Sequence, residues 1–283
     1  MYDCIIIGAG AAGVSAALTL KALNKNLLWL GASVLSGKIS GAEKIKNYPG
    51  LPSVSGKDMQ KVFLAQIEEA GLSVTQRTVT GVYDLGGSFG VLCGDETFSA
   101  KTVILATGVE SVKPIVGELE FLGRGVSYCA TCDGFLYKGK RIAIICTSKD
   151  FAHEAQFLAD LAQKAYVVPL CKGLEVKGDN VEVIKDMPKS VEGDLRVKKV
   201  KFGDGEIDVD GVFMLKNAVT PSALVHGLET RDGHVAVDRS CATNLKGLFA
   251  AGDCTGRPYQ YAKAVGEGNV AAHSVAEYLA QIK

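Results

Sequence analysis

Net charge is what this chain of 283 residues most plainly lacks: its 31 basic and 31 acidic side chains cancel. A neutral chain has no general attraction to nucleic acid or to an acidic membrane, so binding driven by bulk electrostatics is excluded and only local patches remain. Long apolar runs are also missing. None reaches the roughly 18 residues that a membrane-spanning helix needs. The first residues, Met1-Tyr2-Asp3-Cys4-Ile5-Ile6-Ile7, have no basic stretch and no long apolar core, so no secretory signal is expected there. The expectation is a cytoplasmic protein with neither a membrane nor a nucleic-acid partner. Short-period repeats and low-complexity segments are absent, and tryptophan is confined to Trp29, which reads as core. The eight cysteines, at positions 4, 93, 129, 132, 146, 171, 241 and 254, are too scattered to be a disulfide framework. Cys129 and Cys132 are the one close pair.

Glycine, in contrast, is plentiful at 33 residues, as an α/β protein with many tight strand–helix turns requires. At roughly 100–200 residues per domain the length fits two domains, each large enough for its own core. The apolar run at residues 3–7 leads into Gly8-Ala9-Gly10-Ala11-Ala12-Gly13, then into a helical pattern from Val14 to Leu23 and a second apolar run from Asn26 to Leu30. This is a β-α-β unit, the context that gives a glycine fingerprint meaning. Further along, Asp58 to Ala70 predicts an amphipathic helix. Short alternating runs between Ser73 and Leu92 predict a small antiparallel sheet. Thr102–Leu105, Arg141–Cys146, Ala165–Leu170 and Leu248–Ala251 predict buried strands, Asp150–Ala162 a helix, Lys177–Asp208 further strands, and Gly268–Gln281 a last helix.

The glycine loop points to a dinucleotide. Gly8 permits a tight turn off the strand, Gly10 lets the backbone approach a pyrophosphate, and Gly13 lets the helix pack close. The anion then meets free N–H groups at a helix N-terminus. An acid for the ribose hydroxyls is expected at the end of the second strand, and Gly31 stands there instead. Cys129-Ala130-Thr131-Cys132 has three readings. Zinc needs about four ligands, and neither a second close cysteine pair nor clustered histidines supply them, so no metal is expected. Two inert buried cysteines leave the spacing unexplained. A redox dithiol uses it. Asp133 next to the pair suits either a general acid for a leaving thiolate or a simple exposed or capping role.

At this point the residues resemble a known family. Ser127-Tyr128-Cys129-Ala130-Thr131-Cys132-Asp133-Gly134 is similar to the active-site segment of the low-molecular-weight thioredoxin reductases, and the likeness extends over nearly the whole chain. Gly8–Gly13 resembles the FAD glycine loop, Asn47-Tyr48-Pro49-Gly50 a segment near the flavin, and Ala106-Thr107-Gly108 the loop that leaves the FAD domain. Ala251-Gly252-Asp253 resembles the motif whose Asp bonds the ribityl chain, and Gln260 with the stretch 264–272 the helix that meets the isoalloxazine ring. The resemblance implies two Rossmann-like, three-layer ββα domains of the FAD/NAD(P)-binding type. Residues 1–112 and 241–283 would form a discontinuous FAD domain, and 113–240 a degenerate NAD(P)-binding-like domain carrying the cysteine pair. It implies FAD contacts from Gly8, Gly10, Ala11, Ala12, Gly13, Asn47, Val79, Ala106, Thr107, Gly108, Gly252, Asp253, Gln260, Tyr261 and Ala262. It also implies a homodimer, Cys132 facing the flavin, Cys129 attacking the substrate disulfide, and Asp133 as acid–base group.

The departures from the family are informative. The loop after strand 141–145 should be glycine-rich for NADPH, but reads Cys146-Thr147-Ser148-Lys149-Asp150-Phe151. Side chains there obstruct the close backbone approach that a pyrophosphate requires. The next strand should end in a cluster of basic residues for the 2′-phosphate, but ends in Pro169-Leu170-Cys171 with Lys172 beyond. The pattern is similar to ferredoxin-dependent flavin thioredoxin reductases. The expectation is a thioredoxin-disulfide reductase fed by reduced ferredoxin or a similar low-potential one-electron donor. Rivals are an NADPH-dependent reductase with an altered nucleotide site, a flavin dithiol oxidase using oxygen, and a non-catalytic flavin-binding redox sensor. Lys138, Lys140 and Arg141 are candidates for docking an acidic ferredoxin, or are simply solvated charges.

Overall fold

Strands that are apolar on both faces belong in parallel sheets covered on both sides. β1 (Tyr2–Ile7) is such a strand, with Cys4, Ile5 and Ile6 fully buried. The structure, a computed structural model, describes residues 1–109, 114–216 and 220–282. They divide into two units, Met1–Val109 with Thr220–Lys283, and Glu110–Val219.

In the first unit β1 is followed by α1 (Ala11–Ala22), β2 (Leu27–Gly31), α2 (Gly37–Ser40) and α3 (Gly56–Glu69). β3 (Thr75–Gln76), β4 (Gly81–Asp84), β5 (Phe89–Cys93) and β6 (Glu96–Leu105) complete its first part. The sheet order is β3-β2-β1-β6-β5-β4. β6 is long enough to serve two partners on one edge. Residues 96–100 pair antiparallel with β5, extending the sheet into a meander. Its last residues pair parallel with a strand that returns from the C-terminal region. The expected small antiparallel sheet is therefore a continuation of the parallel one.

The second unit holds β7 (Val126–Ser127), α4 (Ala130–Asp133), β8 (Arg141–Cys146), α5 (Ala152–Leu161), β9 (Lys164–Pro169) and β10 (Val181–Val183). β11 (Ser190–Gly193), β12 (Val197–Lys201), β13 (Glu206–Asp208) and β14 (Gly211–Leu215) follow. A parallel sheet runs β10-β9-β8-β14-β7, and β11-β12-β13 form a separate antiparallel sheet. Alternation along β8 shows the three layers. Ile142, Ile144 and Cys146 pack with Leu158 of α5, whereas Ala143 and Ile145 pack with Val191 and Val200 of the small sheet.

The chain then returns to the first unit through α6 (Pro221–Leu224), the hairpin β15 (Thr230–Arg231) and β16 (His234–Val235), β17 (Leu248–Ala250) and α7 (Tyr261–Gln281). Residues 220–240, placed by sequence in the second domain, are stitched here to the first unit: Val82 bridges Val225, and the Glu229 N–H donates to Asn244 Oδ1 at 3.0 Å. The expected boundary at 112/113 lies outside the described residues. Among the described residues no helix is long and apolar enough to cross a membrane.

The last helix begins at Tyr261 rather than Gly268. Glycines 266 and 268 weaken a helical pattern read locally, but tertiary packing uses Gly268. A Cβ there would lie 2.2 Å from the Ala12 carbonyl oxygen, so its bare Cα is what lets α7 touch α1. Gly268→Ala is expected to cost about 1–3 kcal/mol by overpacking, read as a lower urea midpoint. Gly266→Ala, whose Cβ would meet nothing within 4 Å, is expected to leave the midpoint unchanged or raised by up to about 1 kcal/mol in stability.

Candidate functional site

The carboxyl ends of β1, β6 and β17 converge, the place where open parallel sheets bind ligands. Gly8 leaves β1 with φ +120°, and a Cβ there would lie 2.2 Å from the Ala106 carbonyl oxygen. A side chain at this position would push the two strand ends apart. The Gly8 N–H donates to Leu30 O and the Ala106 N–H to Ile7 O, both at 2.8 Å, and the Ala251 N–H donates to Leu105 O at 2.9 Å. Gly13 is packed as tightly, its missing Cβ 2.0 Å from Gly8 O. Trp29, read as core, is 1% exposed, and its indole N–H donates to Gly8 O at 2.9 Å. It fixes the loop from beneath.

Gly10 behaves differently. It is the N-cap of α1 and has no side chain to offer the free N–H groups of the first turn, and a Cβ on it would meet nothing within 4 Å among the described residues. Open space above unsatisfied helix N–H groups suits a pyrophosphate. Ala11 and Ala12 are buried in that first turn. Gly31 has no room for the missing ribose acid: a Cβ would lie 2.9 Å from Ala9 Cβ and 3.1 Å from Ser33 O.

The other expected cofactor residues of this unit gather around the same strand ends. Thr107 carries a buried hydroxyl without a hydrogen-bond partner among the described residues, and Gly108 follows at φ +68°. Gly252, at φ +87°, backs onto Ala12, with 2.9 Å between a Cβ placed on it and Ala12 Cβ. Asp253 opens a 3₁₀ turn, Asp253–Thr255. Asn47 donates to Gln260 Oε1 at 2.7 Å, joining two straps far apart in sequence. Tyr261 and Ala262 start α7, and the Tyr261 hydroxyl donates to Lys38 O at 2.9 Å. Val79 is buried two residues before β4, and among the described residues no hydrogen bond joins it to the others. An orphaned buried hydroxyl, an open glycine cradle and an uncapped helix N-terminus are what a dinucleotide cofactor such as FAD fits.

The cysteine segment belongs to the second unit. Cys129 precedes the single turn α4, is 9% exposed and is disulfide-bonded. Cys132 lies in α4, and its side chain is outside the described residues. Ser127, which sequence reasoning passed over, organises the turn. Its hydroxyl donates to Asp133 Oδ2 at 2.6 Å and accepts from the Cys129 N–H at 3.0 Å. Directly behind Cys129 the Tyr128 hydroxyl donates to Glu118 Oε1, as does Lys216 Nζ, each at 2.6 Å. The Lys216–Glu118 pair is 3% and 0% exposed. The Ile115 N–H occupies Glu118 Oε2 at 3.0 Å, so the buried carboxylate is hydrogen-bonded through both oxygens, as burial demands.

The glycine-free loop after β8 is closed by its own side chains. Thr147 bonds Leu215 O through its N–H and hydroxyl. Ser148 Oγ accepts from the Asp150 N–H at 3.2 Å and donates to Asp150 Oδ2 at 2.8 Å. A carboxylate and a hydroxyl thus sit where a nucleotide loop leaves N–H groups free for phosphate. Of the expected docking cations, Arg141 is engaged with Asp210 at 3.7 Å and Asp208 at 4.0 Å, and Lys140 lies 5.3 Å from the Tyr137 ring centroid. Lys138 is exposed.

Known proteins match this arrangement along the whole chain. The family model of pyridine nucleotide-disulphide oxidoreductases matches residues 2–268. The thioredoxin reductase of Helicobacter pylori is 35% identical, with 99% of this chain and 99% of that protein covered. The thioredoxin reductase of Listeria innocua is 31% identical, with 100% and 95% covered. A ferredoxin-flavin thioredoxin reductase from Clostridium acetobutylicum, solved as a crystal structure, is 44% identical with TM-score 0.90, covering 99% of this chain and 98% of that one.

Cys146, at the start of the closed loop, is fully buried, and burial pushes its thiol up to about 12. At about pH 8 its thiolate fraction is then on the order of one in ten thousand. Iodoacetamide at that pH is expected to leave Cys146 unmodified in the native protein and to modify it after denaturation, as read by peptide mass spectrometry.

Proposed function

The chain belongs to the pyridine nucleotide-disulphide oxidoreductase family as one of its thioredoxin-disulfide reductases, and from that premise we propose that its electrons come through FAD from reduced ferredoxin and not from NADPH. One observation carries the choice of donor. The loop Cys146–Phe151 has no glycine, and Ser148 and Asp150 cap the turn that would otherwise receive a pyrophosphate. The 44% identity to a ferredoxin-flavin thioredoxin reductase supports the same choice.

In this reading FAD is held in the first unit. Gly10 and the first turn of α1, packed in place through Gly8 and Gly13, would hold its pyrophosphate. Thr107 and Asp253 would offer a hydroxyl and a carboxylate to its polar groups, and Asn47, Gln260, Tyr261 and Ala262 would contribute to holding its ring. FAD supplies the junction between one-electron donors and the two-electron opening of a disulfide.

The remaining chemistry belongs to the side chains of the second unit. Cys129 and Cys132 form the redox disulfide, and two electrons with two protons convert it to the dithiol. The Cys129 thiol passes its proton to the Asp133 carboxylate, and the thiolate attacks one sulfur of the thioredoxin disulfide, forming a mixed disulfide and releasing a thioredoxin thiolate. Asp133, held by Ser127, is the proton donor to that leaving thiolate. Cys132 then attacks Cys129 Sγ, which frees the second thioredoxin thiol and restores the internal disulfide. Thioredoxin leaves with the two electrons. A homodimer working in the cytoplasm completes the proposal.

Anaerobic absorption spectroscopy tests the donor. Reduced ferredoxin is expected to bleach the oxidised flavin, and oxidised thioredoxin to bring the colour back, while excess NADPH leaves the spectrum unchanged. Prompt bleaching by NADPH would make this an NADPH-dependent reductase with an unusual nucleotide loop. Cys129→Ser is expected to leave ferredoxin-driven bleaching intact and to reduce thioredoxin turnover by at least about a thousandfold, because a hydroxyl is no substitute for a thiolate nucleophile.

A further inference from the structure

Asp253 lies in a turn bracketed by two glycines of positive φ, Gly252 at +87° and Gly256 at +124°. Such a turn does not stiffen itself, because both ends use the residue with the greatest backbone freedom. Two side chains of α7 grip it. Lys263 Nζ donates to the carbonyl oxygens of Gly252 and Gly256 and to Thr255 Oγ1, each at 2.8 Å. Glu267, one helical turn further on, accepts from the Gly252 N–H at 2.8 Å and lies 2.8 Å from the Thr255 hydroxyl. The two also pair with each other at 3.2 Å, at 18% and 26% exposure. Both backbone groups of Gly252, the carbonyl of Gly256 and the Thr255 hydroxyl are therefore tied to α7. The Asp253 side chain is different: it is half-buried, and no hydrogen bond to its carboxylate occurs among the described residues.

We propose that Lys263 is a positioning residue for FAD, holding the Asp253 turn in place and setting its positive charge near the carboxylate that would accept hydrogen bonds from the cofactor. The proposal rests on the reading that FAD binds in the first unit. The charges around Asp253 are few. Burial holds its carboxyl above the ordinary carboxylate value; Lys263, and then Lys38 of α2, limit that rise, and Glu267 adds to it. Tyr261 is a titratable neighbour on α7, and burial and then Asp253 push its hydroxyl up. His234 of β16 lies against the far end of the turn, 3.9 Å from a Cβ placed on Gly256, buried Cys254 sits within the turn, and Arg257 follows it. Glu267 thus balances Lys263: it shares the grip on the turn but has the opposite effect on Asp253.

The sign follows. Without Lys263 the carboxyl protonates at higher pH, and a neutral acid accepts a weaker hydrogen bond than a carboxylate. FAD affinity in Lys263→Met should therefore fall off on the acid side earlier than in the parent. A shift of one pH unit in that limb corresponds to about a tenfold loss between the two midpoints. Glu267→Gln keeps an oxygen for the Gly252 N–H but removes the negative charge, so its acid limb should move the other way, to lower pH. A distorted turn would not give variants of opposite sign.

The experiment is FAD release from the purified holoenzyme, followed by flavin fluorescence at mildly acidic and mildly alkaline pH, with no turnover involved. The expected result for Lys263→Met is a loss of roughly tenfold in affinity at the acid end that narrows at the alkaline end. In an Asp253→Asn background the same change should add no pH-dependent loss, the signature of coupling through that carboxylate. An unchanged pH profile in Lys263→Met, an equal loss at both ends, or acid limbs that move the same way in Lys263→Met and Glu267→Gln would each overturn the proposal. A parent protein that purifies without flavin and takes up none would instead overturn the FAD reading beneath it.

Discussion

The contact between Gly8 and Ala106 sets the terms for the rest of the first unit. Two neighbouring parallel strands end side by side, and the chain must turn away from both without a side chain between them. Gly8 accomplishes this at φ +120°. Once it does, its carbonyl is held by the Trp29 indole and lies against the bare Cα of Gly13, so α1 starts directly over the strand ends. Gly268 then brings α7 onto the backbone of Ala12, and α7 in turn carries the side chains that grip the turn of Asp253. The cradle is a sequence of backbone approaches that each depend on the one before. Close packing of this kind tolerates little change in volume.

The second unit repeats the strand–turn–helix plan with the opposite choice at the turn. Where the first loop removes side chains to leave N–H groups open, the loop after β8 keeps side chains and closes on itself through Thr147, Ser148 and Asp150. The frame is the same; the turns are not, and it is unsatisfied N–H groups with space above them that suit a phosphate. This contrast between two similar frames underlies the assignment of electron supply to a protein donor.

Polar burial in the second unit is concentrated behind the cysteine segment. Glu118, Lys216 and Tyr128 form a network with both carboxylate oxygens engaged. Breaking such a pair leaves one buried charge without its partner, at a cost of about 3–5 kcal/mol. Ser127, at the end of β7, connects Cys129 to Asp133. The residues flanking Cys129 are thus fixed by directional bonds, which constrain geometry more sharply than apolar packing does.

Much of this was legible in the residues themselves. The β-α-β start, the tight turn at Gly8, the close packing at Gly13, the glycine at 31 where an acid was expected and the lack of glycine after β8 are all local patterns, set by the short-range sterics of a few consecutive residues. So is the cysteine spacing. What local pattern could not convey was partnership at a distance. Lys216 and Glu118 are 98 residues apart, and Asn47 and Gln260 are 213 apart. The start of α7 was misplaced because Gly266 and Gly268 weaken a helix in isolation, whereas contact with α1 rewards a bare Cα at 268. Residues 220–240 joined the first unit through a bridge to Val82 that no composition change announces. The sequence by itself determined which turns are stripped of side chains and which cysteines pair in spacing, since these depend on backbone freedom and on neighbours along the chain. Tertiary structure alone decided which buried charges meet and which helix grips the Asp253 turn, since those depend on packing between segments that the chain keeps far apart.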